Sequence, residues 1–206
     1  VYFFHQHKEN LGIRRLAMIT MVDRVVYQAL LNPRILGGRL SKCSSLLSTY
    51  PSVSKNEDHY LENYKSHYQA YWDVQRMYYE QFDMNHRGEY DIHSFYDNIS
   101  HEVLFDMLEK DNIGTIKTRL ILKTILSGWH KQGRGIPQGP ASSSVIANYY
   151  LTPIDNLFGK SPNTVLYVRY MDDFSLFTKT DRSLLESVEN LTEQLDKLCL
   201  NLNSKT

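Results

Sequence analysis

The side chains in this chain best suited to chemistry are carboxylates, and their spacing singles out two places. Tyr170-Met171-Asp172-Asp173 sets adjacent acids between two apolar-alternating runs, 165–170 and 174–178, a pattern that predicts a β-hairpin with the acids at its tip. Tyr90-Asp91-Ile92-His93-Ser94-Phe95-Tyr96-Asp97 carries another acid along a predicted extended segment, 89–95. Carboxylates projecting from rigid strand ends hold divalent cations through hard oxygen ligands. Like charges held close repel and are costly to desolvate without a cation, so a strand bringing Asp91 beside Asp172 and Asp173 implies bound metal. Two Mg²⁺ ions so held would activate a hydroxyl and stabilise a leaving pyrophosphate in an in-line nucleotidyl transfer. With 15 Tyr and 13 Asp in the chain, about 0.06 chance matches to Tyr-x-Asp-Asp are expected, so the tip motif alone competes with a solvated acidic turn. Asp97 stands at a predicted helix start, where capping is the simpler role.

A third segment, Arg134-Gly135-Ile136-Pro137-Gln138-Gly139-Pro140, runs into the small residues Ala141-Ser142-Ser143-Ser144. Glycine beside Gln138 lets backbone and amide side chain approach a base pair closely, although a loop of turn residues reads the same way in isolation.

The elements that must position these residues follow from periodicity and punctuation. Val22, Val25, Val26, Ala29 and Leu30 predict a helix over 22–31 that ends before Pro33, after short extended segments. Tyr60, Tyr64, Tyr68, Tyr71 and Tyr78 lie on one face of a predicted helix over 58–82, a stripe that reads as packing. Further helices are predicted over 100–110, with Val103, Leu104 and Met107 inward, over 115–129 and over 141–158. Asp181 is the expected cap of an amphipathic helix carrying Leu184, Leu185, Val188, Leu191, Leu195 and Leu198, and 200–203 could form a last strand. This order fits an α+β fold with a ferredoxin-like split βαβ sheet and helices on one face.

Composition sets the outer bounds. The 206 residues are 42 % hydrophobic and 22 % charged, which excludes disorder, collagen-like repeats and a disulfide-dense scaffold. Every apolar run is broken by a polar residue, so no transmembrane helix or signal peptide is expected. Cys43 and Cys199, far apart and without a ligand cluster, read as buried free thiols in a reducing compartment, hence a cytoplasmic location. The formal net charge of zero excludes only a uniformly basic nucleic-acid module. Residues 1–56 carry a net +6, 57–111 a net −9, 112–154 a net +5 and 155–206 a net −2, so opposite blocks can build local positive surfaces beside an anionic pocket. The chain begins at Val1 and stops at Thr206, which suggests that sequence is missing at one or both ends.

In their order and separation, the three segments resemble the palm of reverse transcriptases, with motif A at Asp91 to Asp97, motif B at Gly135 to Ser144 and motif C at Tyr170 to Asp173. The run from Arg14 to Leu30 is similar to the fingers segment of bacterial and group II intron enzymes, with Arg15 where Pro is usual, and Leu198 to Thr206 is similar to their motif D. The resemblance implies a right-hand polymerase with helical fingers over 1–86 and a palm over 87–206, the thumb being absent from this chain. It implies that Asp91, Asp172 and Asp173 bind two Mg²⁺ ions, or Mn²⁺ in their place, with help from the Ile92 carbonyl. Arg14 would grip the incoming triphosphate, Gln138 and Gly139 would line the nascent pair beside Met171, and Lys205 would protonate pyrophosphate. Tyr96 stands at the steric gate, which implies deoxynucleotide substrates. The implied partners are an RNA template, a DNA or protein primer and dNTP, without a membrane, and with a homo-oligomer or an associated non-coding RNA left open. The Pro-Gln-Gly-Pro-Ala-Ser-Ser stretch, with Ala147 to Leu151, Ile154 and Asp155, looks most like abortive-infection and defence-associated bacterial enzymes. A retron, a group II intron-type enzyme and a non-catalytic scaffold of polymerase fold are the alternatives.

Overall fold

Antiparallel pairing builds two separate sheets. In the computed structural model, which describes residues 2–7, 13–32, 34–40, 64–130, 132–159 and 165–203, strands β1 (Tyr2–His7) and β2 (Ile13–Met18) form a hairpin with Tyr2 opposite Met18. Strands β3 (His86–Tyr90), β4 (Val165–Tyr170) and β5 (Asp173–Thr178) form the second sheet in the order β3-β5-β4. The hairpin expected around the acidic pair is present: Tyr170 faces Asp173, leaving Met171 and Asp172 as a two-residue loop with Met171 at φ 57°.

The last strand expected over 200–203 is reduced to a single bridge between Leu202 and Ile92. It gives the spatial order of a split βαβ sheet with its fourth strand cut short, on the outer side of β3. The chain reaches it from helix α9 (Asp181–Lys197) through a left-handed turn at Cys199 (φ 56°). There the Cys199 and Leu200 amides donate to the Asp196 and Leu195 carbonyls, satisfying the helix end. Cys199 is therefore exposed rather than buried as expected, while Cys43 lies outside the described residues.

Several local expectations are corrected. The extended segment over 89–95 stops at Tyr90; beyond the Ile92 bridge, Ser94 turns left-handed (φ 47°) and Phe95 opens a short helix, α4 (Phe95–Asn98), burying its ring. The helix expected over 141–158 breaks at Leu151 into α7 (Ala141–Tyr150) and α8 (Thr152–Phe158). Pro153 has no N–H to give the Tyr149 carbonyl, and the Thr152 hydroxyl donates to it instead at 2.8 Å. Thr180, not Asp181, caps α9 by accepting from the Ser183 amide, while Asp181 pairs with His86 at 2.6 Å. Leu185 on that helix is exposed.

Helices α5 (His101–Lys110) and α6 (Ile116–Trp129) match their expected spans and are capped by Ser100 and Thr115. Helix α1 (Met21–Leu30) also forms where expected, but the apolar set Val22, Val25 and Val26 faces solvent, and Tyr27 and Leu30 are the buried pair. A short helix α2 (Gly37–Leu40) follows it. Helix α3 (Tyr64–Phe82) carries the tyrosine stripe, of which Tyr71 and Tyr78 are buried and Tyr68 is half exposed; Tyr60 lies outside the described residues.

Helices cover both faces of the second sheet, not one. Val165, Tyr167, Phe174 and Leu176 pack into the main core with residues of α7, α8 and α9. Val168 and Phe177, on alternate positions, pack with Tyr71 and Tyr78 of α3. Strands β4 and β5 are buried along nearly their whole length, which requires an apolar cover on each side.

Candidate active site

The register of the second sheet decides where the acids go. Tyr90 pairs with Phe174, so Asp91, one residue beyond β3, falls beside Asp173 at the start of β5. Both line one cavity of about 240 Å³ together with Glu89, Tyr90, Tyr170, Phe174 and three rings of α3, Tyr68, Tyr71 and Trp72. The backbone around Asp91 is tied to the bridge: its carbonyl accepts from the Asn203 amide at 2.8 Å and its carboxylate from Asn203 Nδ2 at 3.2 Å. The His93 amide donates to the Asn201 carbonyl at 2.9 Å, so the carbonyl of buried Ile92 takes no part in that ladder.

Asp172 is half-buried in the loop at the same sheet end but is not among the residues lining the cavity. The lining residues supply the carboxylates of Glu89, Asp91 and Asp173 beside tyrosine hydroxyls, without thiol or imidazole, and carboxylate oxygens are what a hard divalent cation takes. Among the described residues, no three His, Cys, Asp or Glu side chains are gathered into a metal cage. The cavity wall is anionic in its effect on neighbours. Burial pushes the Tyr71 phenol up, and the charges of Asp173 and Glu89 add to this, against a hydrogen bond with Ser175 at 2.9 Å. The Tyr170 ring packs edge-on to Tyr68 at 5.3 Å and against Tyr71 at 5.9 Å.

The loop that carries Gln138 and Gly139 is held from two sides. On one, the Ala17 amide of β2 donates to the Gln138 carbonyl at 3.0 Å, tying the loop to the strand that carries Arg14, which stands opposite Gln6. On the other, the Ile136 amide donates to the Tyr96 carbonyl and the Gly135 amide to the Ile99 carbonyl, both at 2.8 Å. The His101 Nε2–H donates to the Gly135 carbonyl at 2.7 Å. Half-buried Tyr96 packs on the main core with its hydroxyl 3.3 Å from that of Ser144 at the start of α7. A second cavity of about 240 Å³ lies between β2 and this loop, lined in part by Ala17, Arg24, Gly139 and Pro140, and shares no residue with the first. Lys205 lies outside the described residues.

Sequence reasoning missed Arg169. It is a cation at an inward position of an otherwise apolar strand, fully buried and paired with fully buried Asp155 at 2.6 Å. A basic residue interrupting the 165–170 alternation on its core face was the available signal.

A protein-family description, "Reverse transcriptase (RNA-dependent DNA polymerase)", matches residues 7–205. The chain belongs to the reverse transcriptase family. Reverse transcriptase domains use divalent metals such as Mg²⁺, in keeping with the donor set of the acidic cavity. No curated protein matches the chain. Among solved structures, telomerase from Candida tropicalis in complex with a TWJ fragment of telomeric RNA shares the fold at TM-score 0.66 and 13 % identity, over 99 % of this chain and 40 % of that one. The apo telomerase of the same organism, truncated from its C-terminal domain, gives 0.54 at 15 % identity over 90 % and 39 %. Telomerase from Candida albicans with a TWJ fragment gives 0.52 at 15 % identity over 99 % and 42 %. This reverse transcriptase domain thus spans about two fifths of the length of those chains, and its fingers-and-palm fold is theirs. Among its described residues no helix is long and apolar enough to cross a membrane.

Proposed function

We propose that this domain is the polymerising core of an RNA-directed DNA polymerase that adds deoxynucleotides to a primer 3′ hydroxyl, with fingers over 1–86 and palm over 87–206. The observation that carries the reading is the sharing of one cavity by Asp91 and Asp173, with Asp172 in the adjoining two-residue loop, in a chain of this family.

In this reading Asp91, Asp172, Asp173 and the Ile92 carbonyl hold two Mg²⁺ ions, or Mn²⁺. When bound, they supply charge neutralisation at the attacking and leaving oxygens. Arg14 binds the triphosphate, and Gln138 and Gly139 form the floor of the nascent pair beside Met171. The Tyr96 ring, steadied by Ser144, excludes a ribose 2′ hydroxyl. Lys205 gives its proton to the departing pyrophosphate. RNA is the template, the primer is DNA or protein, and the setting is bacterial antiphage defence, the last resting on the Pro137 to Leu151 stretch.

The test is extension of a DNA primer on an RNA template by the full chain with dNTP and Mg²⁺. Extension that disappears in folded Asp172→Asn and Asp91→Asn variants supports the reading. A folded wild-type protein that extends nothing with Mg²⁺ or Mn²⁺ overturns it in favour of a scaffold.

A further inference from the structure

The Arg169–Asp155 pair is difficult to explain as a stabilising device. Both side chains are wholly excluded from solvent, and desolvating two charges consumes most or all of what their attraction returns, so well-packed apolar residues at such sites are often as stable. Asp155 has a geometric role instead. It accepts from Arg169 Nε at 2.9 Å and Nη2 at 2.6 Å, a two-point fork that fixes the guanidinium plane, and from the Tyr167 hydroxyl at 2.7 Å. Burial alone would push the guanidinium down; Asp155 and Tyr167 more than offset this and keep it charged.

The remaining nitrogen points at the acidic loop. Arg169 Nη1 donates to the Met171 carbonyl at 2.9 Å and to the Asn148 side-chain oxygen of α7 at 2.8 Å. The Met171 carbonyl belongs to the peptide joining Met171 to Asp172, and Met171 itself is left-handed, a conformation a non-glycine residue holds only when its surroundings enforce it. Clamping that carbonyl sets the plane of the peptide from which Asp172 projects. Because Asn148 shares α7 with Ser143 and Ser144, which meet Tyr27 and Tyr96, the same clamp fixes the loop relative to the helix behind the sugar-facing ring.

We propose that Arg169, with Asp155 and Asn148, is a positioning residue that holds the Met171–Asp172 peptide so that Asp172 and Asp173 bind divalent metal together with Asp91. This rests on the functional reading above and assigns its carboxylates a buried support.

The test compares, in the full chain, wild type with Arg169→Met/Asp155→Leu/Tyr167→Phe, which removes both charges and the hydroxyl at once, and with Arg169→Lys, which keeps a charge but cannot fork. Three quantities are measured: the thermal unfolding midpoint, Mn²⁺ affinity by electron paramagnetic resonance, and kcat and KM for dNTP in primer extension. The triple variant is expected to unfold near the wild-type midpoint while binding Mn²⁺ and turning over about 10- to 100-fold less well, the scale set by supports of metal ligands. KM for dNTP should stay nearly unchanged, and Arg169→Lys should fall between. A folded triple variant with wild-type Mn²⁺ affinity and kcat overturns the proposal; if it does not fold, Arg169→Lys with both values unchanged does so. Wild type that extends no primer refutes the polymerase reading instead, and the Mn²⁺ comparison then decides the clamp alone. Wild type that binds no Mn²⁺ overturns both.

Discussion

Replacing Gly135 by Ala should damage both the loop that carries Gln138 and the stability of the protein, and the structure gives a scale and an internal control. Gly135 sits at φ 95°, outside the left-handed well that other residues tolerate, which costs a side-chain-bearing residue about 1–3 kcal/mol. An added Cβ would also lie 2.8 Å from His130 Nδ1 and 3.2 Å from the Asp97 backbone carbonyl. The backbone contact cannot rotate away, and overpacking of this kind adds about 1–3 kcal/mol. Gly139 has a comparable φ of 123°, but its Cβ would meet nothing nearer than the Ala17 carbonyl at 3.9 Å, so only the strain applies there. Gly135→Ala should therefore lose about 2–6 kcal/mol and Gly139→Ala about 1–3 kcal/mol. Against a total stability of about 5–15 kcal/mol, the first loss lowers Tm by about 5–20 °C. Urea unfolding of both variants checks the order. Shifting Gly135 also strains its bonds to Ile99 and His101, so primer extension by Gly135→Ala should show a raised KM for dNTP even where the protein is folded. A Gly135→Ala variant within about 0.5 kcal/mol of wild type, or one less damaging than Gly139→Ala, would refute the reasoning.

Tyr96→Ala should raise ribonucleotide incorporation relative to deoxynucleotide on the order of ten- to a hundred-fold, the scale on which a pocket discriminates by size; unchanged sugar selectivity in primer extension would remove Tyr96 from the gate. Buried His101 is held below its ordinary pKa by desolvation, with the Lys123 charge adding to this against its bond to the Gly135 carbonyl, and its Nδ1 has no partner among the described residues. The neutral ring is thus the folded form: its stability contribution is whole above the unfolded pKa of about 6.5 and falls as pH drops from there toward the lower folded value. Urea midpoints between pH 7.5 and 5 should fall in wild type and fall less in His101→Gln. Leu191→Ala in the core should lose about 2–5 kcal/mol, whereas Leu185→Ala on the exposed side of α9 should stay within about 0.5 kcal/mol, a contrast that thermal unfolding reads directly.

Much of the fold was legible because it follows from local signals. The 165–170 and 174–178 alternations and the helical patterns over 100–110 and 115–129 act over a few residues, and each produced its element. The break at Leu151 was legible in principle through Pro153, whose missing amide outweighs the helix-forming run around it. Burial was less accessible. Val22, Val25 and Val26 have helical spacing, yet Tyr27 is the residue that faces Ser143 across the core, because periodicity gives a face without saying what packs against it.

By itself, the sequence determined the kinds of group available: three aspartates at strand ends, a glycine-bounded Gln138, and a tyrosine five residues after Asp91. Those are properties of residue type and short spacing, which the chain carries before it folds. Only the tertiary structure decided that β3 lies beside β5, so that Asp91 meets Asp173 across 82 residues, and that a Leu202 bridge and Asn203 hold the Asp91 segment. It alone decided that Arg169 turns inward to Asp155 and to the carbonyl preceding Asp172. The physical reason is common to both: strand order and the partner of a buried charge depend on which distant surfaces exclude water together, and no local pattern encodes that choice.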